Sequence, residues 1–429
     1  MRGWSKNRLW LWSLGILVGI AILLVFTAKW LRTDQPLTDT AKKFIQPDLI
    51  YRANVQQHSY FYLLGITAKD EVHPQALGRY RYHREWANYI QDQNAAENLQ
   101  IDSGLSRKLS RAGFSEQEKE LLENLQMRLA NSAEQFSALV VEHKKSLHAL
   151  LERERIPLQR FSDLLEHQDY ISLVIPPQAV GPDYRYIQNL QLLKLAHIQL
   201  DSGSKVQDYA QQFHQVLDFS RNRLSLVEKM LLQNWLSQMI DLIRIEQKNE
   251  SNPVMLNNLD SDQLGLKASL QNELMGHYLL TQYLAHASEI SSVQLKWLYL
   301  PNTTFNAIAA QYEVYWMLSE TPYVELQERF TTSEPSSLSK WRLKNAIGHV
   351  LAQISKPNFE KYIVMNHVLS NKIMTFNAVN SGSIEIELLN QNAAGRRYFQ
   401  QDGKVCIALP FSQQKLSELN LKQDSCVKI

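Results

Sequence analysis

The chain has 429 residues, 45 Lys plus Arg against 43 Asp plus Glu, and 45% hydrophobic residues. This composition excludes a largely disordered, collagenous or multi-spanning protein. Two cysteines exclude a disulfide scaffold and a four-ligand structural zinc module.

Leu9 to Ala28 runs without a charge (LWLWSLGILVGIAILLVFTA). At about 1.5 Å rise per residue such a run spans the ~30 Å of a bilayer's hydrocarbon. Trp4, Trp10, Trp12 and Trp30 flank it, where amphipathic rings favour the headgroup level. Phe26-Thr27-Ala28 makes a poor peptidase site, so the reading is a retained anchor over 9–31 behind a short cytoplasmic tail, 1–8. Arg2, Lys6 and Arg8 precede the run and only Lys29 and Arg32 follow closely. That bias places the N-terminus in the cytoplasm and the body in the periplasm, across the inner membrane. Those five residues account for the slight basicity. The remainder holds 40 basic and 43 acidic side chains, which argues against nucleic acid as a partner. Gly15 and Gly19 form a GxxxG, the spacing by which two membrane helices approach, and mark a candidate homodimer contact.

Past the anchor the pattern is mainly helical, and the fold class expected is mainly α: an elongated, multi-helix extracytoplasmic body with a small β-hairpin near the C-terminus. Pro176-Pro177, Gly181-Pro182 and the polar stretch 331–339 suggest division into 32–178, 179–335 and 336–429. Arg79-Tyr-Arg-Tyr-His-Arg84 interleaves cations and aromatics in the first of these. Such a segment, held near the bilayer, makes Arg79, Arg81 and Arg84 candidate contacts for anionic lipid, although a solvated basic face explains it more simply.

Ser115 and Glu118 form a capping box ahead of a heptad-like apolar series from Leu122 through Phe136 to Leu150, predicting one helix over 115–156 that Pro157 stops. A second long helix is expected over 205–248. Pro301-Asn302 reads as the start of a helix carrying Tyr312, Tyr315 and Trp316, with Asn302 as its N-cap. Shorter helices are expected over 74–93, 190–200, 269–288, 338–354 and 359–379.

Near the C-terminus the period changes to two. Asp402-Gly403 between strand-like runs predicts a hairpin in which Phe399 faces Cys406 and Gln401 faces Lys404. Cys406 and Cys426 stand nineteen residues apart, and in an oxidising compartment they are expected to pair, stabilising the tail by about 3 kcal/mol.

The phosphate-loop, dinucleotide, nucleophile-elbow and HExxH patterns do not occur. Two S-x-x-K matches, Ser202 to Lys205 and Ser337 to Lys340, read as turns or helix starts. Glu273, His277, His286 and Glu289 resemble a metal-ligand set, but His277 and His286 are nine residues apart, about 180° around a helix. No catalytic, cofactor or metal residues are therefore expected. The functional expectation is an anchored envelope protein whose helical periplasmic body serves as an interaction or scaffold module for envelope proteins in transport, secretion or wall synthesis. The alternative is a membrane-anchored periplasmic hydrolase or lipid-modifying enzyme whose site is assembled from dispersed residues.

Overall fold

A computed structural model of the chain describes residues 6–45, 59–94, 103–248 except 178, 253–286, 298–329 except 327, 344–355, 359–381, 390, 397–409 except 402–403, 417 and 424–428. The fold is mainly helical. In chain order the helices are α1 (Lys6–Arg32), α2 (Asp39–Phe44), α3 (Ser59–Leu64), α4 (Pro74–Asn94), α5 (Ser103–Leu109), α6 (Glu116–Asn131), α7 (Ala133–Glu142), α8 (Lys144–Arg153) and α9 (Arg155–Leu165). After them come α10 (Tyr184–Asp201), α11 (Lys205–Phe219), α12 (Leu226–Gln247), α13 (Ser261–Leu264), α14 (Lys267–His286), α15 (Pro301–Ser319), α16 (Ala346–Ile354) and α17 (Glu360–Asn380). Strands β1 (Tyr398–Gln401), β2 (Lys404–Ala408) and β3 (Asp424–Lys428) form one antiparallel sheet in that order.

The expected single helix over 115–156 is instead the series α6 to α9. Its apolar rhythm holds throughout: Leu122, Leu125, Leu129, Phe136, Val140, Leu147 and Leu150 are all buried. The axis, however, breaks three times. Ser132 leaves the helical region at φ −163° and accepts from the Gln135 amide, so it closes α6 and caps α7. His143 and Glu154 sit near φ −95°, ψ 15°, in the bridge region between helical segments. Pro157 does not stop the path. It occupies the first turn of α9, where a missing N–H leaves no intrahelical bond unmade. The expected helix over 205–248 likewise divides into α11 and α12, because Ser225 caps a fresh helix in a second capping box.

The described residues fall into two compact units. The larger comprises 46–276, 312–334 and 358–429. One apolar core runs through it, and Phe136, Phe161, Leu190, Phe213, Trp235 and Ile373 all belong to it. Residues on both sides of 178 share that core, so the expected boundary there does not separate two bodies; the one near 335 lies outside the described residues. Gly65 and Gly78 let α3 and α4 cross in close contact: a Cβ on Gly78 would stand 1.9 Å from the Phe61 carbonyl oxygen. Tyr398, Val405 and Ile407 of the sheet pack on Met374 and Val379 of α17.

The smaller unit comprises 1–45, 277–311 and 335–357. Its first helix ends at Arg32, and the segment that follows is held in place. Asp34 accepts hydrogen bonds from the Asn302 and Thr303 amides at 2.8 and 2.9 Å and from the Thr303 hydroxyl at 2.8 Å. A carboxylate 268 positions upstream thus caps α15, and Asn302, the expected N-cap, lies inside the first turn. Asn306 receives the Thr38 amide at 2.9 Å and donates to the Pro36 carbonyl at 3.0 Å. The Lys344 ammonium lies 4.8 Å over the Trp30 ring. Asn345 adopts a left-handed φ of 62°, and its buried side chain accepts the Leu300 amide at 2.7 Å.

Candidate functional site

The most heavily functionalised region of the larger unit begins at the N-terminus of α12. The Ser225 hydroxyl accepts the Glu228 amide at 3.3 Å, and the Glu228 carboxylate accepts the Ser225 amide at 2.8 Å. The other oxygen of Glu228 turns into the core, where the Tyr170, Tyr184 and Ser172 hydroxyls donate to it at 2.7, 3.2 and 3.3 Å. Burial pushes the Glu228 carboxyl above the ordinary carboxylate range against the pull of these donors. Burial, and secondarily the Glu228 charge, raises the phenols of Tyr60, Tyr170 and Tyr184. The cavity beside this cluster is about 30 Å³ and apolar, too small for a ligand.

Lys229, the next residue, serves a different space. Its side chain is only 5% exposed, and its ammonium donates to the carbonyl of Asp262, at 3.3 Å, and to that of Gly265. These carbonyls close the C-terminal end of the short α13. Burial lowers the Lys229 pKa to about 8, with Asp260 and Asp262 opposing the fall. Lys229 borders a cleft of about 630 Å³, within the size range of small-molecule sites. Four segments build its walls: Arg221 to Lys229, Ser261 to Gln271, Ser319 to Tyr323, and His367 on α17. The Arg221 guanidinium pairs with Asp218 at 2.6 Å and Asp260 at 2.9 Å, which fixes the connection between α11 and α12. Lys267 stacks over the Trp316 ring at 4.6 Å while the indole donates to Glu320 at 2.6 Å. Lys267, Ala268 and Ser269, the first turn of α14, line the same cleft.

A second, smaller cleft of about 270 Å³ lies between α8, α9 and α10. There Asp201 faces His197 at 3.1 Å and His148 at 3.7 Å, and Lys194 donates to Ser162 at 3.2 Å. Its wall carries two carboxylates, Glu152 and Asp201, and two cations, Arg155 and Lys194. On α14, burial lowers His277 and raises Glu273, while His286 Nδ1 sits 2.9 Å from the Gln282 carbonyl; Glu289 lies outside the described residues.

The sequence-selected residues do not gather here. Arg79 is exposed, but Arg81 points inward and donates to the Leu64 carbonyl and the Ser106 and Ser110 hydroxyls at 2.7, 3.1 and 2.8 Å. Arg84 pairs with Glu85. The three arginines therefore form no common basic face, and Arg81 joins α4 to the C-terminal end of α3 and to α5. Gly15 and Gly19 lie on the bare surface of α1 with nothing within 4 Å of an added Cβ. The strand register sets Phe399 opposite Cys406, Gln401 opposite Lys404, and Cys406 opposite Cys426. The Asp402-Gly403 turn lies outside the described residues.

Sequence reasoning missed Lys229. The signal was there: Ser225-Leu-Val-Glu228 is a capping box, and Lys229 stands three and seven residues before Leu232 and Leu236, on the core stripe. A cation on such a stripe needs a polar space to face. In comparisons with known proteins, no protein family, no curated protein and no solved structure matches this chain.

Proposed function

We propose that the chain is a single-pass, membrane-anchored envelope protein whose helical body acts as an interaction or scaffold module. One observation carries the anchor. Among the described residues a single helix is long and apolar enough to cross a membrane, Leu14–Arg32, with mean hydropathy 2.3 and no part of it buried. Leu23 and Phe26, for example, are 66% and 68% exposed. Nineteen such residues in water would forgo the burial energy of about 1.5–3 kcal/mol per large apolar side chain, which a bilayer returns. The capping of α15 by Asp34 supports a direct connection of the anchor helix to the rest of the smaller unit, with no free tether after Arg32.

In this reading the helix sits in the inner membrane with the body in the periplasm, docked on envelope proteins of a transport, secretion or wall-synthesis assembly. Gly15 and Gly19 provide the contact for a homodimer. Cys406 and Cys426 form a disulfide there: opposed antiparallel residues lie 4.5–5.5 Å apart between Cα atoms, inside the range such a bond accepts. The cleft beside Lys229 favours a second reading, an anchored periplasmic enzyme, because perturbed titratable groups in a cleft mark sites of chemistry.

Fusion of alkaline phosphatase, active only outside the cytoplasm, after Ile429 tests the topology: activity is expected, and a silent fusion that is fluorescent when rebuilt with a cytosolic reporter removes the proposal. In-cell crosslinking through the body, read by mass spectrometry, is expected to capture defined envelope proteins. Recovery of no specific neighbour removes the docking role.

A further inference from the structure

The cleft bordered by Lys229 has a chemical character that neither an anchor nor a docking surface requires. Its walls carry the basic side chains Arg221, Arg223, Lys229 and Lys267 against the two carboxylates of Asp262 and Glu320, with Arg221 already paired to Asp218 and Asp260. Glu320 is already engaged by the Trp316 indole. An ammonium has three N–H donors, and the carbonyls of Asp262 and Gly265 take two from Lys229. Neither carbonyl takes the third. Lys229 is nearly fully buried, so that donor is fixed in direction and poorly hydrated, the condition in which a charge-assisted hydrogen bond is strongest.

Another stretch of the wall adds donors of a different kind. The first turn of the twenty-residue α14 lines the cleft, and the first amides of a helix have no intrahelical acceptor while carrying the positive end of its dipole. Lys267, on that turn, is held over Trp316. Cations held in place and backbone donors lining one cleft match a tetrahedral oxyanion, which accepts hydrogen bonds from several directions at once. The hydroxyls of Ser261, Ser319 and Thr321 elsewhere on the wall suit the polar remainder of a small molecule, and the volume exceeds that of a bare ion. We propose that this cleft binds the phosphoryl group of a small, soluble phosphate ester, held between the Lys229 and Lys267 ammonium groups and the first turn of α14.

The test is calorimetric titration of the full-length protein in detergent micelles with inorganic phosphate and with glycerol 3-phosphate. Saturable 1:1 binding of both is expected, with the ester tighter. Lys267→Gln, on the wall of the cleft, is expected to weaken both about tenfold. Lys229→Met is expected to weaken them further, and Lys194→Gln in the smaller cleft to leave them unchanged. Sulfate supplies a readout free of ligand titration, because its charge is constant over the range: its affinity is expected to fall about tenfold between about pH 7 and about pH 9.5 as Lys229 gives up its proton. Absence of saturable binding in the millimolar range overturns the proposal. So does binding that Lys267→Gln leaves intact, or sulfate affinity that is flat with pH.

Discussion

Lys229 offers the sharpest physical test, because its burial makes a prediction of sign as well as size. The ammonium is ordinary in the unfolded chain, at 10.5, and burial brings it to about 8 in the folded protein. Between those values the unfolded chain holds a proton that the folded chain has released, so stability rises with pH across the window. The contribution is fully present above the unfolded value and is lost as pH falls through about 8. Replacing Lys229 with Met removes this group alone. At neutral pH two opposing effects of similar size meet: relief of a buried charge, about 3 kcal/mol, and loss of the partner to the Asp262 and Gly265 carbonyls, about 1–3 kcal/mol each. Stability at one pH therefore decides nothing, whereas the slope does. The assay is urea unfolding of both proteins in micelles, followed by tryptophan fluorescence, from about pH 7 to about pH 10. The wild-type protein is expected to gain about 2–3 kcal/mol relative to Lys229→Met over that range, other groups cancelling between the two. A difference constant to within about 0.5 kcal/mol would refute the burial argument.

Three further outcomes follow from single contacts. Asp34→Ala removes the cap of α15 and, at about 1.5–3 kcal/mol per bond to a charged acceptor, is expected to speed amide exchange across 301–306 at least tenfold by hydrogen-exchange mass spectrometry; unchanged protection would mean the cap does not hold the helix. Glu228→Leu leaves the Tyr170 and Tyr184 hydroxyls and the Ser225 amide without their acceptor and is expected to destabilise the larger unit by about 3–5 kcal/mol in urea unfolding, with a loss under about 1 kcal/mol as the refuting result. Gly78→Ala drives a methyl group into the Phe61 carbonyl, where backbone cannot yield cheaply, and a fall in melting temperature matching about 1–3 kcal/mol is expected; a melting temperature equal to wild type would show that α3 and α4 can part freely.

The apolar first helix, the predominance of helix and the hairpin register were legible because each is written in neighbouring residues. Charge-free length, the 3.6-residue stripe and alternation around Asp-Gly need no knowledge of what lies across the fold. The heptad series from Leu122 to Leu150 shows both the strength and the limit of that code. It named the buried face correctly, yet it could not say that Ser132, His143 and Glu154 would break the axis, since a broken helix and a straight one bury the same stripe.

Tertiary structure alone decided the remainder. Asp34 caps a helix 268 residues away, Arg81 is spent on α5 and the end of α3, and the Lys229 cleft draws its walls from four separate stretches of chain. In each case a local pattern specifies that a polar group needs a partner, but the partner is chosen by which distant segments pack together. That choice depends on the shape of the whole core and not on spacing along the sequence.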